Sequence, residues 1–327
     1  MRKFINNLLK PSTAIVLMYH KIGSPKTDPW LLAVSEENFD QQMAWLCNNL
    51  RVVALGQLIG ELKAGKIIQN SVAVTFDDGY EDNYILAKPI LEKYGIPATF
   101  FITDRNLEDG KSFWWDDLEE IALHSGQLPA SIHANGSEID LGDEMTIAAN
   151  HWDGNARFYA MEPINKRSEL YYMLWQEFGP LKWREQDIRL AEVKAWANRN
   201  SYDVDKCMSK EQLKDLSSNE LFTIGAHTHS HPALEAHSIE TQFFEIKQNL
   251  DYLYKLTGSI PEFIAYPSGS YNENTLEVVD RLGLEAGLTT VPVPISKKTK
   301  PFEMGRFQVM DWGREDFSYK CTQWLGQ

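Results

Sequence analysis

Short apolar segments recur along this chain, separated by stretches whose apolar residues fall at helical spacing. The apolar runs predict strands over Ala14–Tyr19, Arg51–Ala54, Val72–Phe76, Ala98–Thr103, Phe222–Ala226, Glu262–Tyr266, Ala286–Thr290 and Gly305–Val309. Helices fit between most of them: Glu36–Asn48 after a serine cap at Ser35, Asn83–Tyr94, Ile239–Leu256 after Ser238, and Asn274–Leu282. Repeated strand and helix favour a parallel sheet, and eight strands permit a barrel. In such a barrel the catalytic groups belong at the carboxyl ends of the strands.

The alternation breaks between about Asp104 and Ser218, where helical, aromatic-rich sequence replaces the next strand. This divides the chain into a discontinuous barrel over residues 1–104 and 216–327 and a largely helical insertion over 105–215. Six of the ten tryptophans fall in the break: Trp114, Trp115, Trp152, Trp175, Trp183 and Trp196. Most of these aromatics are expected to pack the insertion's own core. Trp114 and Trp115, which follow closely on a strand end, are the candidates for an apolar face presented to a substrate.

Composition adds limits. A chain of 327 residues can bury a large core, and its net charge of −14 argues against nucleic acid or an anionic membrane surface as a partner. Cys47, Cys207 and Cys321 are widely separated and read as free thiols in a reducing compartment. Polar residues and Pro11 interrupt the amino terminus before a signal-peptide core can form, so a cytoplasmic protein is expected, without a transmembrane segment. Phe4, Ile5, Leu8 and Leu9 leave room for a peripheral membrane contact.

Two blocks carry the chemistry. Thr75-Phe76-Asp77-Asp78-Gly79-Tyr80 ends one predicted strand and Gly225-Ala226-His227-Thr228-His229-Ser230-His231-Pro232 ends another. Adjacent strand residues point to opposite faces, so a regular strand lets only one of Asp77 and Asp78 enter a site, a limit that a turn at Gly79 relaxes. His227 and His231 have the i, i+4 spacing that lets two imidazoles reach one ion. With Asp78 they supply three ligands, the number that marks a catalytic zinc-type site with an open position. Each block alone is compatible with a plain turn or a pair of surface histidines; their joint placement at strand ends is what favours a metal.

At these residues the chain resembles the polysaccharide deacetylase family, the NodB-type carbohydrate esterases. Thr75-Phe76-Asp77-Asp78-Gly79 resembles its first motif, His227-Thr228-His229-Ser230-His231 fits its His-[Ser/Thr]-x-x-His motif, and Ala265-Tyr266-Pro267-Ser268-Gly269 resembles its Arg-x-Pro-x-Gly motif. The resemblance implies a distorted (β/α) barrel of seven or eight strands, with Asp77 as general base and Asp78, His227 and His231 holding one divalent ion, zinc before cobalt, nickel or iron. It also implies a backbone N–H at Ser268 as oxyanion donor, with Tyr266 beside it as a substrate contact. Ala265 departs from the pattern, since the family often has a base-orienting arginine there, and no Leu-x-His closes the chain to supply the usual acid. His20, ending the first strand, is the candidate acid, against the plainer reading of a structural histidine. Arg306 is the candidate cation for Asp77, against a simple surface ion pair.

The expected function is removal of an acetyl or formyl group from an amino sugar in polysaccharide or glycan-precursor metabolism, with a nucleotide- or lipid-linked sugar as the favoured precursor. An amidohydrolase for a small amide or cyclic imide is a second reading, because fold does not fix substrate. A catalytically degenerate sugar-binding protein is a third, raised by the missing arginine and acid.

Overall fold

The computed structural model describes residues 13–109, 112–148, 151–152, 156–198 and 205–326, and within it all eight predicted strands enter one sheet. They are β1 (Ala14–Tyr19), β2 (Arg51–Val52), β3 (Ser71–Phe76), β4 (Ala98–Ile102), β5 (Phe222–Ala226), β6 (Phe263–Ala265), β7 (Ala286–Leu288) and β8 (Phe307–Gln308). The order is β7-β6-β5-β4-β3-β1-β8 and every pairing is parallel. β3 pairs with β1 along its whole length, and its other edge takes β2 at Ser71 and Val72, then β4 from Val74 to Phe76. The two ends of the sheet meet again: Thr289 donates its N–H to Met304 O at 2.8 Å and Met304 to Gly287 O at 3.0 Å, joining β7 to the segment that leads into β8. The result is the distorted barrel that the sequence resemblance implied.

Every residue of β1, β3 and β4 is buried, because helices cover one face of a parallel sheet and the barrel interior fills the other. Period-two alternation sorts their side chains. Ala14, Val16, Ala73, Phe101, Phe263, Ala265, Ala286 and Leu288 form one continuous inner cluster, joined by Leu55, Leu58, Ile59 and Leu62 of the helix Leu55–Lys63. The outer face is split instead. Ile15, Leu17, Tyr19, Val74, Phe76 and Phe100 pack against Phe39, Met43 and Leu46, while Ala226, Ile264 and Tyr266 pack against Ile246, Leu250 and Val278. Ala73 therefore fixes the parity of Thr75 and Asp77, which face inward.

A further apolar cluster runs from Leu118 to Ala197 and includes Leu170, Tyr171, Leu174 and Phe178 of the helix Lys166–Phe178. This region is not wholly helical, since Ser131–Ala134 and Ser137–Asp140 form an antiparallel hairpin. Its two-residue turn is Asn135-Gly136, both at positive φ (47° and 76°), as the mirror-image hairpin turn requires. Phe113, Trp115, Cys207, Met208, Leu213 and Leu216 join the barrel's outer cluster instead. Among the described residues no helix is long and apolar enough to cross a membrane. Phe4, Ile5, Leu8 and Leu9 lie outside the described residues.

Candidate active site

Asp77 continues β3 by one residue, donating its N–H to Tyr19 O at 3.0 Å, and so keeps its inward parity. Asp78 then takes a left-handed φ of 73° and Gly79 one of 92°, which turns the chain and swings the second carboxylate into the same space. The strand limit on adjacent carboxylates is thus lifted at Asp78 itself. His227 and His231 follow β5, and Asp78 Oδ1 lies 3.3 Å from His227 Nε2 and 3.4 Å from His231 Nε2.

These three ligand atoms lie within 4.8 Å of one another, the one such grouping among the described residues. Asp78 Oδ1 is buried and makes no hydrogen bond. His227 Nδ1 donates to Ala265 O at 2.8 Å, a bond that orients the ring and turns Nε2 toward Asp78. Burial opposes the Asp78 charge, yet the imidazoles of His227, His231 and His20 outweigh it and hold the carboxyl well below its ordinary range. Burial pushes His231 down to about 4, so its imidazole is neutral and free to donate a lone pair at neutral pH. For His227 burial disfavours the charged form, the Asp78 carboxylate favours it, and the carboxylate prevails. An orphaned buried carboxylate oxygen and two convergent imidazole nitrogens fit a divalent ion of the zinc class.

Arg306, wholly buried, grips Asp77 with both ends of its guanidinium: Nη1 donates to Oδ1 at 2.6 Å and Nη2 to Oδ2 at 2.7 Å. Nε donates to Thr289 O at 3.1 Å and Nη1 also reaches Thr75 Oγ1 at 3.3 Å. The surface-pair alternative for Arg306 is therefore replaced by a buried, bidentate one. Burial works against the Asp77 charge, but Arg306 first, then His227 and His20, keep its pKa below the ordinary value. His20 Nε2 is 3.9 Å from Asp77 Oδ2, and its buried Nδ1 has no hydrogen-bond partner. Burial lowers the His20 pKa despite the two aspartates nearby.

Other expected site residues stand differently. Ser268 lies in the turn Pro267–Gly269 after β6, at φ 53° and exposed. Gly269 is required there, since at φ 69° an added Cβ would come within 2.1 Å of Thr290 Oγ1. Tyr266 is fully buried, donates its hydroxyl to Phe302 O at 3.0 Å and stacks on Tyr271, so it does not meet a substrate. Its parity with Ile264 sends it to the outer face, away from the inward-facing Asp77. The tryptophans are corrected too. Trp115 is stacked on Phe113 at 4.3 Å, donates Nε1 to Tyr80 Oη at 2.8 Å and abuts His231 at 4.7 Å, so it walls the site without a free face for a sugar. Trp114 stacks on Phe178 at 5.3 Å and is partly buried between the barrel's outer cluster and the cluster that runs from Leu118 to Ala197.

Residues not singled out in the sequence hold the histidine loop. Asn249 accepts from His227 N–H at 3.1 Å, Glu245 accepts from Ser230 N–H at 2.9 Å, and Asp104 takes His229 Nδ1 at 2.8 Å. A signal for two of them was present: Gln242, Glu245 and Asn249 place polar groups at spacings of three and four on the buried face of the helix Ile239–Thr257.

Comparison with known proteins agrees with this geometry. The polysaccharide deacetylase sequence model matches residues 64–139 and 190–287. The poly-beta-1,6-N-acetyl-D-glucosamine N-deacetylase of Staphylococcus aureus (strain MRSA252) is 33% identical over 333 residues, spanning 97% of this chain and 84% of that enzyme. For the enzyme of that name in strain MSSA476, 33% identity extends over 164 residues, 42% of this chain and 57% of the relative, so there the chain spans little more than half of its length. Among solved structures, the Streptococcus pyogenes deacetylase PplD in complex with acetate superposes with a TM-score of 0.61 at 20% identity, over 95% of this chain and 98% of that one.

Proposed function

The chain belongs to the polysaccharide deacetylase family, and from that premise we propose that it is a metal-dependent hydrolase that removes the acetyl group from an N-acetylated amino sugar. The observation that carries this reading is the meeting of Asp78, His227 and His231 around one point, next to an Asp77 whose two oxygens are fixed by Arg306. These three residues hold one divalent ion, with zinc preferred and cobalt, nickel or iron accepted by the same donor set. When bound, the ion supplies Lewis-acid polarisation of the acyl carbonyl and acidifies water.

Asp77 takes the proton of the water that attacks the acyl carbon. Arg306 keeps that carboxylate ionised below neutral pH and fixes its orientation. A Ser268 backbone N–H bonds the oxyanion. His20 gives the leaving nitrogen its proton as the carbon–nitrogen bond breaks, releasing acetate and a free amine. Its closeness to Asp77, 3.9 Å, allows the proton to be relayed, and the burial that lowers its pKa makes its protonated form the stronger acid. Because Arg306 supplies the cation that Ala265 lacks, the departure from the family's third motif gives no support to a binding-only protein.

The relatives named for poly-beta-1,6-N-acetyl-D-glucosamine support an N-acetylated glycan as the substrate, and the proposal extends to such a sugar carried on a nucleotide or lipid. The test is release of acetate and amine in equal amounts from β-1,6-linked N-acetylglucosamine oligomers, nucleotide-linked and lipid-linked acetyl sugars, and small cyclic imides, with the zinc-loaded and the chelator-treated protein. Zinc-dependent turnover of an acetyl sugar is expected. Preference for an imide, or equal turnover after chelation, would overturn the reading.

A further inference from the structure

The loop that carries both histidine ligands is held in a conformation it would not choose alone. Thr228 (φ 66°) and His231 (φ 58°) both occupy the left-handed region, which is uncommon for any residue with a Cβ and an outlier for a β-branched threonine. Such a backbone persists where its surroundings over-determine it. Here the surroundings are the end of β4 on one side and the inner face of the helix Ile239–Thr257 on the other. Thr103 donates Oγ1–H to His227 O at 3.1 Å and its N–H to Asp78 O at 3.3 Å. Arg105 N–H donates to His229 O at 3.0 Å, and His229 N–H to Glu245 O at 2.9 Å. The Glu245 carboxylate accepts from both Ser230 N–H (2.9 Å) and Ser230 Oγ (2.8 Å).

Asn249 stands at the junction of these contacts. It is fully buried, its Oδ1 accepts the His227 N–H at 3.1 Å, and its Nδ2 donates to Ile102 O at 3.0 Å and to Asp104 Oδ1 at 2.6 Å. Asp104, also buried, uses its other oxygen on His229 Nδ1 at 2.8 Å. One side chain therefore ties the strand end that anchors Asp78 to the loop that bears His227 and His231. A helix lying on a sheet needs apolar residues on that face for packing alone, and a buried amide is tolerated only when its hydrogen bonds are made. Packing does not call for an asparagine here, whereas a fixed distance between the carboxylate and imidazole ligands does.

We propose that Asn249 is a positioning residue that sets the metal affinity of the site, with Asp104 and Glu245 bracing the same loop. The inference rests on Asp78, His227 and His231 being the metal ligands. Outer-shell partners of metal ligands are worth about 10- to 100-fold in affinity, and Asn249 bonds the backbone of His227 and the end of β4, whose next residue, Thr103, donates its N–H to Asp78 O.

The test measures the zinc dissociation constant of the folded protein by competition with a chromogenic chelator, together with thermal unfolding of the metal-free protein. Asn249→Ala should weaken zinc by about 10- to 100-fold and restore turnover near the wild-type level once zinc is saturating. Gln242→Ala is the control: Gln242 is buried on the same helix face but bonds His237 O and Thr275 Oγ1, away from the loop, so it should lower stability and leave the zinc constant unchanged. An unchanged zinc constant in a folded Asn249→Ala protein, or an equal weakening by Gln242→Ala, overturns the proposal. Should Asn249→Ala fail to fold, Glu245→Gln probes the same loop, with a several-fold weakening expected and none overturning it. Failure of the wild-type protein to bind zinc would instead remove the ligand assignment itself.

Discussion

Replacing Arg306 by methionine would leave a buried carboxylate with no cation against it. Arg306 is wholly buried and Asp77 is 2% exposed, and the two share bonds of 2.6 and 2.7 Å. Removing one partner of such a pair typically costs about 3–5 kcal/mol, a large share of the roughly 5–15 kcal/mol that separates folded from unfolded domains. Part of that loss depends on pH. In the wild type the Asp77 pKa is depressed in the folded state, so its stabilisation is present above the unfolded value of about 3.9 and is lost as pH falls through the folded value. In Arg306→Met burial dominates and raises the folded pKa. The penalty for a buried charge then applies at neutral pH and disappears below the unfolded value, where both states carry the proton. The gap between wild type and variant should accordingly be widest near pH 7 and narrow toward pH 4. Urea unfolding of the metal-free proteins, followed by tryptophan fluorescence at both pH values, measures it. The acid limb of kcat/KM should move to higher pH in the variant, and Arg306→Lys, which keeps the charge without the fork, should fall between. A gap of equal size at pH 7 and pH 4 refutes this account of the pair.

Asp77→Asn should retain stoichiometric metal by elemental analysis yet lose on the order of 10²–10⁴-fold in rate, the usual scale for a general base; wild-type turnover would remove Asp77 from the mechanism. The His227→Ala/His231→Ala double variant should lose its metal while its far-ultraviolet circular dichroism stays native, and stoichiometric zinc in it would show that the ligands lie elsewhere. Tyr266→Phe should leave KM for an acetyl sugar unchanged and cost about 1 kcal/mol of stability through the lost bond to Phe302 O, whereas a raised KM would return Tyr266 to the substrate site.

The strands were legible because parallel strands buried on both faces read as continuous apolar runs, and each of the eight predicted segments overlaps a strand of the sheet. Their ends were less so. Ala286–Thr290 shortens to Ala286–Leu288 because Thr289 turns its N–H to Met304 O, outside the strand pairing. The predicted helix Asn83–Tyr94 divides into a wider turn at Asn83–Ala87 and an α-helix at Lys88–Tyr94, as expected where Pro89 cannot donate a backbone N–H. The hairpin at Asn135-Gly136 interrupts a stretch expected to be helical, although its turn dipeptide is a strong local signal. Tyr266 adjoins the oxyanion turn in sequence, yet strand parity, readable from the buried Phe263 and Ala265, puts it on the other face. The polar face of the helix Ile239–Thr257 was hidden among its apolar neighbours because spacing shows which residues share a face and not what that face touches.

Sequence offers Arg306 as the cation for Asp77 only against the alternative of a surface ion pair, and the fold decides between the two. A base on the inner face of a barrel is surrounded by strands that are remote in sequence, so its partner can come from any of them; what physics demands is a cation within reach, because burial alone would protonate Asp77. Ala265, on β6, is fully buried and belongs to the apolar inner cluster. The cation enters instead from the segment just before β8, 229 positions from Asp77. Gly305 makes that approach possible: a Cβ there would lie 2.6 Å from both Val291 O and Val293 O, and the close contact lets Arg306 donate its N–H to Val291 O at 3.1 Å while its guanidinium turns inward. The motif departure at Ala265 is therefore a relocation of charge, and the requirement it satisfies is set by the burial of Asp77.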